Sequence, residues 1–256
     1  MRVERITRYP VKGLSGEVME DVALEAGQGL PHDRRFAIAQ GDSPFDPAAP
    51  TWLQKRHFAC LMANAKVAAV RSAFDPVTGI LLLQAPGAPR LALDLGLAED
   101  RDRAAAWMTD YLGEEARGRM RFAEAPGHAF TDIAAKAVSI IGLNSVKALS
   151  DKVGMTLDPE RFRANILFSG GAPFAELDWV GREMLLGGVR VKVFKRTQRC
   201  PATEVNPDTA ERDAKPQKWL RDHYGHADMG VYAEVLEGGT VAVGDALEPV
   251  QADLLG

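Results

Sequence analysis

The chain has 256 residues, 46% hydrophobic and 26% charged, enough to bury one large or two small cores. A formal net charge of −4, without a long basic run or a basic stripe interleaved with aromatics, argues against nucleic acid as a partner. The two cysteines, Cys60 and Cys200, rule out a multi-disulfide framework and any cysteine-only zinc or iron–sulfur site, which need four protein ligands.

The N-terminal stretch Met1–Gly13 reaches its charges within four residues, and no run has the apolar length of a signal peptide or a membrane span. A cytoplasmic protein with no membrane partner is therefore expected. Lys12 lies in the glycine-rich turn Tyr9–Gly16, and Arg34 and Arg35 follow Gly29. Glycines there let backbone amides approach an anion, and an arginine supplies a two-pronged donor that lysine lacks. Phe36–Ala39, Lys66–Val70 and Leu81–Leu83 read as short strands, and Cys60, in Phe58–Met62, reads as a small buried side chain.

A helix is predicted over Asp100–Leu112, with Asp100 placed to cap it, Trp107, Met108, Tyr111 and Leu112 on one stripe, and Gly113 after it. Phe122–Asp132, which contains Pro126 and Gly127, is the best place to divide the chain. A second helix is predicted over Asn144–Val153, with Gly154 as its stop. Asp178–Gly181, Leu185–Val189 and Gly238–Asp245 have the pattern of barrel strands closed by glycine turns. In Gly188–Lys195, Val189, Val191 and Val193 alternate with basic residues, giving a strand that runs towards Cys200. A third helix begins at Pro216, carries Trp219, Leu220 and Tyr224, and stops at Gly225.

The most informative segment is the polar loop Lys195–Thr209, with its single thiol between Arg199 and Pro201. Lys195, Arg196 and Arg199 are cations that favour thiolate, the form that binds soft metals and attacks electrophiles. The residues alone leave a functional and a structural Cys200 both open. The five histidines are scattered, and neither a His-Glu-x-x-His zinc motif, a Gly-x-Ser-x-Gly elbow nor a complete phosphate loop is present.

Taken together, Tyr9-Pro-Val-Lys-Gly13, Gly29–Phe36, Arg161–Ile166, Phe174–Trp179, Arg199–Thr209, Gly230–Tyr232 and Val243–Asp245 resemble the MOSC-domain proteins. They resemble specifically the subgroup with an N-terminal β-barrel domain that includes the mitochondrial amidoxime-reducing component. The resemblance implies a strand-rich α+β fold, a MOSC β-barrel with an associated N-terminal β-rich domain and a few amphipathic helices. It places an N-terminal domain over residues 1–125 and a MOSC domain over 126–256. It also implies a molybdenum–molybdopterin cofactor of the mononucleotide type, with Cys200 as the protein's metal ligand and catalytic residue; pyridoxal phosphate is not expected. Lys12 and Arg34 would anchor the cofactor, and Arg163, Asn165, Thr197 and Arg199 would line the pterin or its phosphate.

The implied activity is reduction of small N-hydroxylated compounds. Some relatives carry a C-terminal ferredoxin-like domain with four cysteines, which this sequence lacks, so electrons are expected from a separate flavoprotein or iron–sulfur protein. An alternative from another class is a sulfur-carrier or cofactor-handling protein with a Cys200 persulfide. Two departures from the family pattern stand out: Asn206-Pro-Asp-Thr-Ala210 in place of Asp-Pro-Asp-Thr-Gly, and Leu53-Gln-Lys-Arg56, which leaves Lys55 and Arg56 without an assigned role.

Overall fold

The computed structural model describes residues 1–250. Its larger sheet has eight strands in the order Leu247–Pro249, Glu183–Leu186, Val189–Gln198, Asp228–Glu237, Val138–Gly142, Ile166–Ser169, Arg2–Arg8 and Glu17–Met19. All neighbours are antiparallel except Val138–Gly142 with Ile166–Ser169, which helix α2 (Leu143–Val153) connects. The sheet closes on itself. Met1 O accepts from Leu247 N at 3.0 Å, Val3 N donates to Asp245 O at 2.9 Å, and Gly244 N donates to Val3 O at 2.8 Å. Alternation along Val189–Gln198 places Val189, Val191 and Val193 inside this barrel, beside Val3, Ile6, Met184, Leu186, Val231, Ala233 and Val235.

A second core lies beside the barrel. The meander Arg71–Phe74, Ile80–Gln84 and Leu91–Asp94 packs with helix α1 (Ala98–Leu112), whose Trp107, Met108 and Leu112 are buried as the stripe predicted. The ribbon of Ala37–Ala39 with Arg121–Ala123 adjoins it. The chain does not fill these cores in sequence order: Val3, Ile6, Val22, Leu24 and Leu30 belong to the barrel core, whereas Val205 belongs to the second. Helix α3 (Pro216–Tyr224) packs with α2, and both stop at the predicted glycines.

Three local expectations are corrected. Helix α1 begins at Ala98, and Asp100 does not cap it; its carboxylate accepts from Asp94 N at 2.7 Å and from Arg103 at 2.5 Å. Lys66–Val70 lies in a 3₁₀ turn, Ala65–Ala69, because its alanines supply little of the β-branched bulk that a strand packs, and Val67 and Ala68 are buried side by side. Asp178–Gly181 is not a strand. A 3₁₀ turn over Ala175–Trp179 carries Leu177 and Trp179 into the barrel core, and extended pairing starts only where Gly181 N donates to Val193 O at 2.7 Å. Among the described residues no helix is long and apolar enough to cross a membrane.

Two barrel features position the loop that carries Cys200: the strand Val189–Gln198 that leads into it, and the close packing of its neighbour at Gly230. Gly230 has φ +79°, and a Cβ there would lie 2.5 Å from Ile140 O and against the Ile141 side chain. Gly230→Ala is expected to cost about 2–4 kcal/mol, combining left-handed strain with overpacking, and to lower the urea midpoint. An unchanged midpoint would show that the barrel is looser at this position.

Candidate functional site

Val189–Gln198 ends at the mouth of the barrel, where the chain turns at Cys200 into a short 3₁₀ turn, Pro201–Glu204. Arg212 ties this turn to the second core: its Nη1 donates to Pro201 O at 3.0 Å, and its Nη2 to Leu61 O at 2.8 Å and Met62 O at 2.9 Å. In the substituted loop the Asn206 side chain accepts from Asp208 N at 2.9 Å, and Ala210 takes φ +59° where the family pattern has glycine.

Between barrel and second core lies a cleft of about 310 Å³ lined by Cys200 and by residues from both. All seven residues singled out by the sequence line it: Lys12, Arg34, Arg163, Asn165, Thr197, Arg199 and Cys200. Cys60 lines it too, but as a nearly buried thiol that burial pushes up, so the reading as a small packed side chain fits its surroundings. Eight basic side chains face two carboxylates, Asp33 and Asp132, around this cleft. A chain of net negative charge thus concentrates cations at one place, which suits an anionic ligand.

The seven side chains differ in what they have left to offer. Arg199 donates through Nε to Met229 O at 2.8 Å, through Nη2 to the same carbonyl, and through Nη1 to Phe162 O at 2.8 Å; its guanidinium holds the barrel end together. Asn165 is engaged with Ser139 and with Thr7 O, stitching three neighbouring strands. Arg34 lies 2.5 Å from Asp33, which also accepts from Tyr9 N at 2.8 Å. Burial alone would pull Arg34 down, but the Asp33 carboxylate more than offsets it and holds Arg34 above its ordinary value.

Arg163 forms no ion pair with a carboxylate among the described residues. Its guanidinium carbon lies 4.2 Å from the centre of the Tyr9 ring, and that of Arg34 lies 4.4 Å from the same centre. Both arginines take positive φ, 52° and 48°. Burial first, and the Arg34 charge with it, pull Arg163 down to about 10, which still leaves it protonated at neutral pH. Its Nη2 is buried with no hydrogen-bond partner, as are Thr197 Oγ1 and Arg161 Nε. Three of the four such orphaned atoms among the described residues therefore belong to residues that line this one cleft. Buried donors are rarely left unpaired, so together they mark the place of a polar ligand.

Around Cys200 stands an arrangement that the sequence did not reveal. Asp132 accepts from Lys12 Nζ at 2.6 Å and Lys55 Nζ at 2.8 Å, Lys12 also donates to Phe130 O at 2.9 Å, and Lys55 Nζ lies 3.2 Å from Cys200 Sγ. Asp132 closes a segment legible only as a division of the chain, and Lys55 sits at a departure from the family pattern. Two of the three cations expected beside the thiol turn elsewhere: Arg196 donates to Leu177 O, and Arg199 points into the barrel end. Burial would raise Asp132, but the two ammonium groups act more strongly and hold it well below the ordinary carboxylate range. Among the described residues no cluster of three or more His, Cys, Asp or Glu side chains is placed to hold a metal.

Residues 118–248 match the family described as the MOSC domain, and residues 1–113 match the MOSC N-terminal beta barrel domain. The chain is similar to mitochondrial amidoxime reducing component 2 of Bos taurus, at 24% identity over 290 residues, covering 95% of this chain and 81% of that protein. It is also 27% identical to a molybdenum cofactor sulfurase of Drosophila willistoni over 135 residues, covering 51% of this chain but 17% of the sulfurase. A solved structure, the YUAD protein from Bacillus subtilis, is 16% identical with a TM-score of 0.45, covering 98% of this chain and 96% of the other.

The Asp132 bridge predicts a pH dependence. A carboxylate depressed in the folded state stabilises the fold above its unfolded value, here 3.8, and that contribution is lost as pH falls through the folded value. Because the side chain is 43% exposed, solvent screening limits the effect. Asp132→Asn should destabilise by about 1 kcal/mol at pH 7. The gap from wild type should close below about pH 4, read by urea denaturation across pH. A gap that stays constant to low pH would refute the bridge.

Proposed function

The chain belongs to the MOSC-domain family, in the form that carries the MOSC N-terminal β-barrel domain, and on that premise we propose that it is a molybdenum-cofactor-dependent oxidoreductase. The observation that carries this reading is the cleft itself: a thiol and, lining the same cleft, buried donors with no partner among the described residues, one of them on an arginine that stacks on Tyr9. An organic cofactor with a phosphate and several hydrogen-bonding edges fits that donor set, and a dithiolene-held molybdenum suits the soft sulfur of Cys200.

In this reading Cys200 is the metal's protein ligand, and Arg163, Thr197 and Arg161 take the pterin and its phosphate. Arg34, locked to Asp33, stacks Tyr9 and holds Arg163 through an Nη2 to carbonyl bond of 2.9 Å. Arg199 and Asn165 act one step back, fixing the backbone that presents the others. Lys12 anchors Asp132 and, through it, the second core's side of the cleft. The bound cofactor supplies a two-electron centre able to take an oxygen atom from a substrate. The substrates proposed are small N-hydroxylated compounds, as the name of the Bos taurus relative suggests, with electrons delivered by a separate donor protein. The sulfurase relative and the cationic neighbour of Cys200 favour a second reading, sulfur transfer through a Cys200 persulfide.

Expression in a host that makes molybdopterin, followed by molybdenum and pterin analysis per chain, separates the two. Near-stoichiometric metal and pterin in wild type, and loss of amidoxime reduction with a reduced viologen dye in Cys200→Ser, are the expected results. In Arg163→Met, pterin retention should fall about 10–100-fold, the usual scale when a supporting contact to a bound centre is removed. A wild type that takes up neither metal nor pterin would sink the reductase reading, and a persulfide on Cys200 would replace it.

A further inference from the structure

Lys55 is the one cation whose nitrogen lies at hydrogen-bonding distance from the Cys200 sulfur among the described residues, and neither the family pattern nor the reductase reading gives it a task. It stands on a 3₁₀ turn of the N-terminal half, Lys55–His57, pinned where Phe58 N donates to Lys55 O at 3.0 Å and Ala59 N donates to Ile38 O at 2.7 Å. Its ammonium is held from the far side by Asp132, 2.8 Å away. The same carboxylate is already matched by Lys12, which is buried and anchored to Phe130 O. Two ammonium groups share one carboxylate, so the trio carries a surplus positive charge, and Lys55 brings it to the sulfur. An ion pair with Asp132 alone would not require that contact, because Lys12 neutralises the carboxylate without it.

We propose that Lys55 is a positioning residue for the metal-ligating thiolate: it donates an N–H···S hydrogen bond to Cys200 and so raises the reduction potential of the metal that this sulfur holds. The proposal rests on the reductase reading for the identity of the metal, and on the geometry alone for the contact. A hydrogen bond and a nearby positive charge draw electron density from a ligating sulfur, weaken its donation and favour the metal's reduced state, as outer contacts do at other thiolate-bound centres. Asp132 and Lys12 serve this role indirectly, by fixing where the Lys55 ammonium stands.

The test uses wild type, K55M and K55R, each assayed for molybdenum and pterin content and then titrated electrochemically with the Mo(V) signal as readout. With metal content equal, K55M should show a lower midpoint potential and an altered Mo(V) spectrum, and K55R should recover most of the wild-type value. Equal potentials in wild type and K55M, both fully loaded, would overturn the proposal. A second readout needs no metal: alkylation of Cys200 by iodoacetamide at one fixed pH, followed on the Cys200 peptide by mass spectrometry. It should slow by about threefold or more in K55M, because the thiolate loses its cationic partner. Should wild type take up no metal, the reductase reading fails and the claim about potential falls with it; these rates then judge the contact, and equal rates overturn that too. If K55M does not fold, K55Q, which keeps a donor but no charge, takes its place and should fall between wild type and the expected K55M value.

Discussion

The structure depends on the pairing of its first strand with strands far along the chain. Arg2–Arg8 sits between Ile166–Ser169 on one side and residues 244–247 on the other, and without it the barrel has an open edge. The same strand sets the position of the residues just beyond it. Tyr9 and Lys12 emerge at the barrel mouth, beside Arg163 and beside Asp132, because the register of the strand has already been fixed by Val3 and Ile6 in the barrel core. The chain then enters the other core, where Gly13, at φ +86°, lets the turn press against Ala59, a contact any Cβ would block. One continuous stretch of backbone thus links the two cores beside the cleft, which segments from across the chain complete.

The electrostatics of the cleft are a product of that architecture. Cations arrive from several elements, and the protein compensates them unequally. Arg161 has Asp213 at 2.7 Å, Arg34 has Asp33, and Lys12 and Lys55 share Asp132. Arg163 has an aromatic face in place of a carboxylate. Burying a charge without a full counter-charge is costly, and two arginines at positive φ add backbone strain. The incompletely compensated part of this arrangement suits a ligand that brings negative charge and acceptors into the cleft. The division of labour within the predicted set has the same origin. Arg199 and Asn165 spend their hydrogen bonds on the backbone, and Arg163 and Thr197 keep theirs free.

Legibility in the sequence depended on how local each signal is. The helices were legible because a stripe of apolar residues and a terminal glycine are contained in a dozen positions, as with Trp107, Met108 and Leu112. The strand into Cys200 was legible for the same reason, since three valines alternate with charges. The short apolar runs at 66–70 and 178–181 were not, because a few apolar residues suit a 3₁₀ turn as well as a strand. Within the site, the motifs brought all seven named residues to one cleft. The identity of the cation at the sulfur was not legible. Lys195, Arg196 and Arg199 are near Cys200 in sequence, but alternation and burial turn two of them away, whereas Lys55 arrives across 145 residues. Asp132 was hidden for the same reason, being defined only by two lysines that meet it from distant segments.

The long-range closure of the barrel also bears on how the molecule is made. Val3 and Ile6 stand opposite Phe168 and Ile166, Ile6 also has the nearby Met19, and the last hydrogen bonds of the seam involve residues 244–247. On the ribosome, the second core, with α1 and its meander, has most of its partners by residue 120 and is free to collapse early. Beyond its short pairing with Glu17–Met19, the first strand must wait until residues 166–169, and for the seam until residues 244–247, have been synthesised. Contacts of such sequence separation form slowly, because the loop entropy is lost before any pairing compensates for it. The barrel is therefore expected to close after the second core has collapsed, and more slowly.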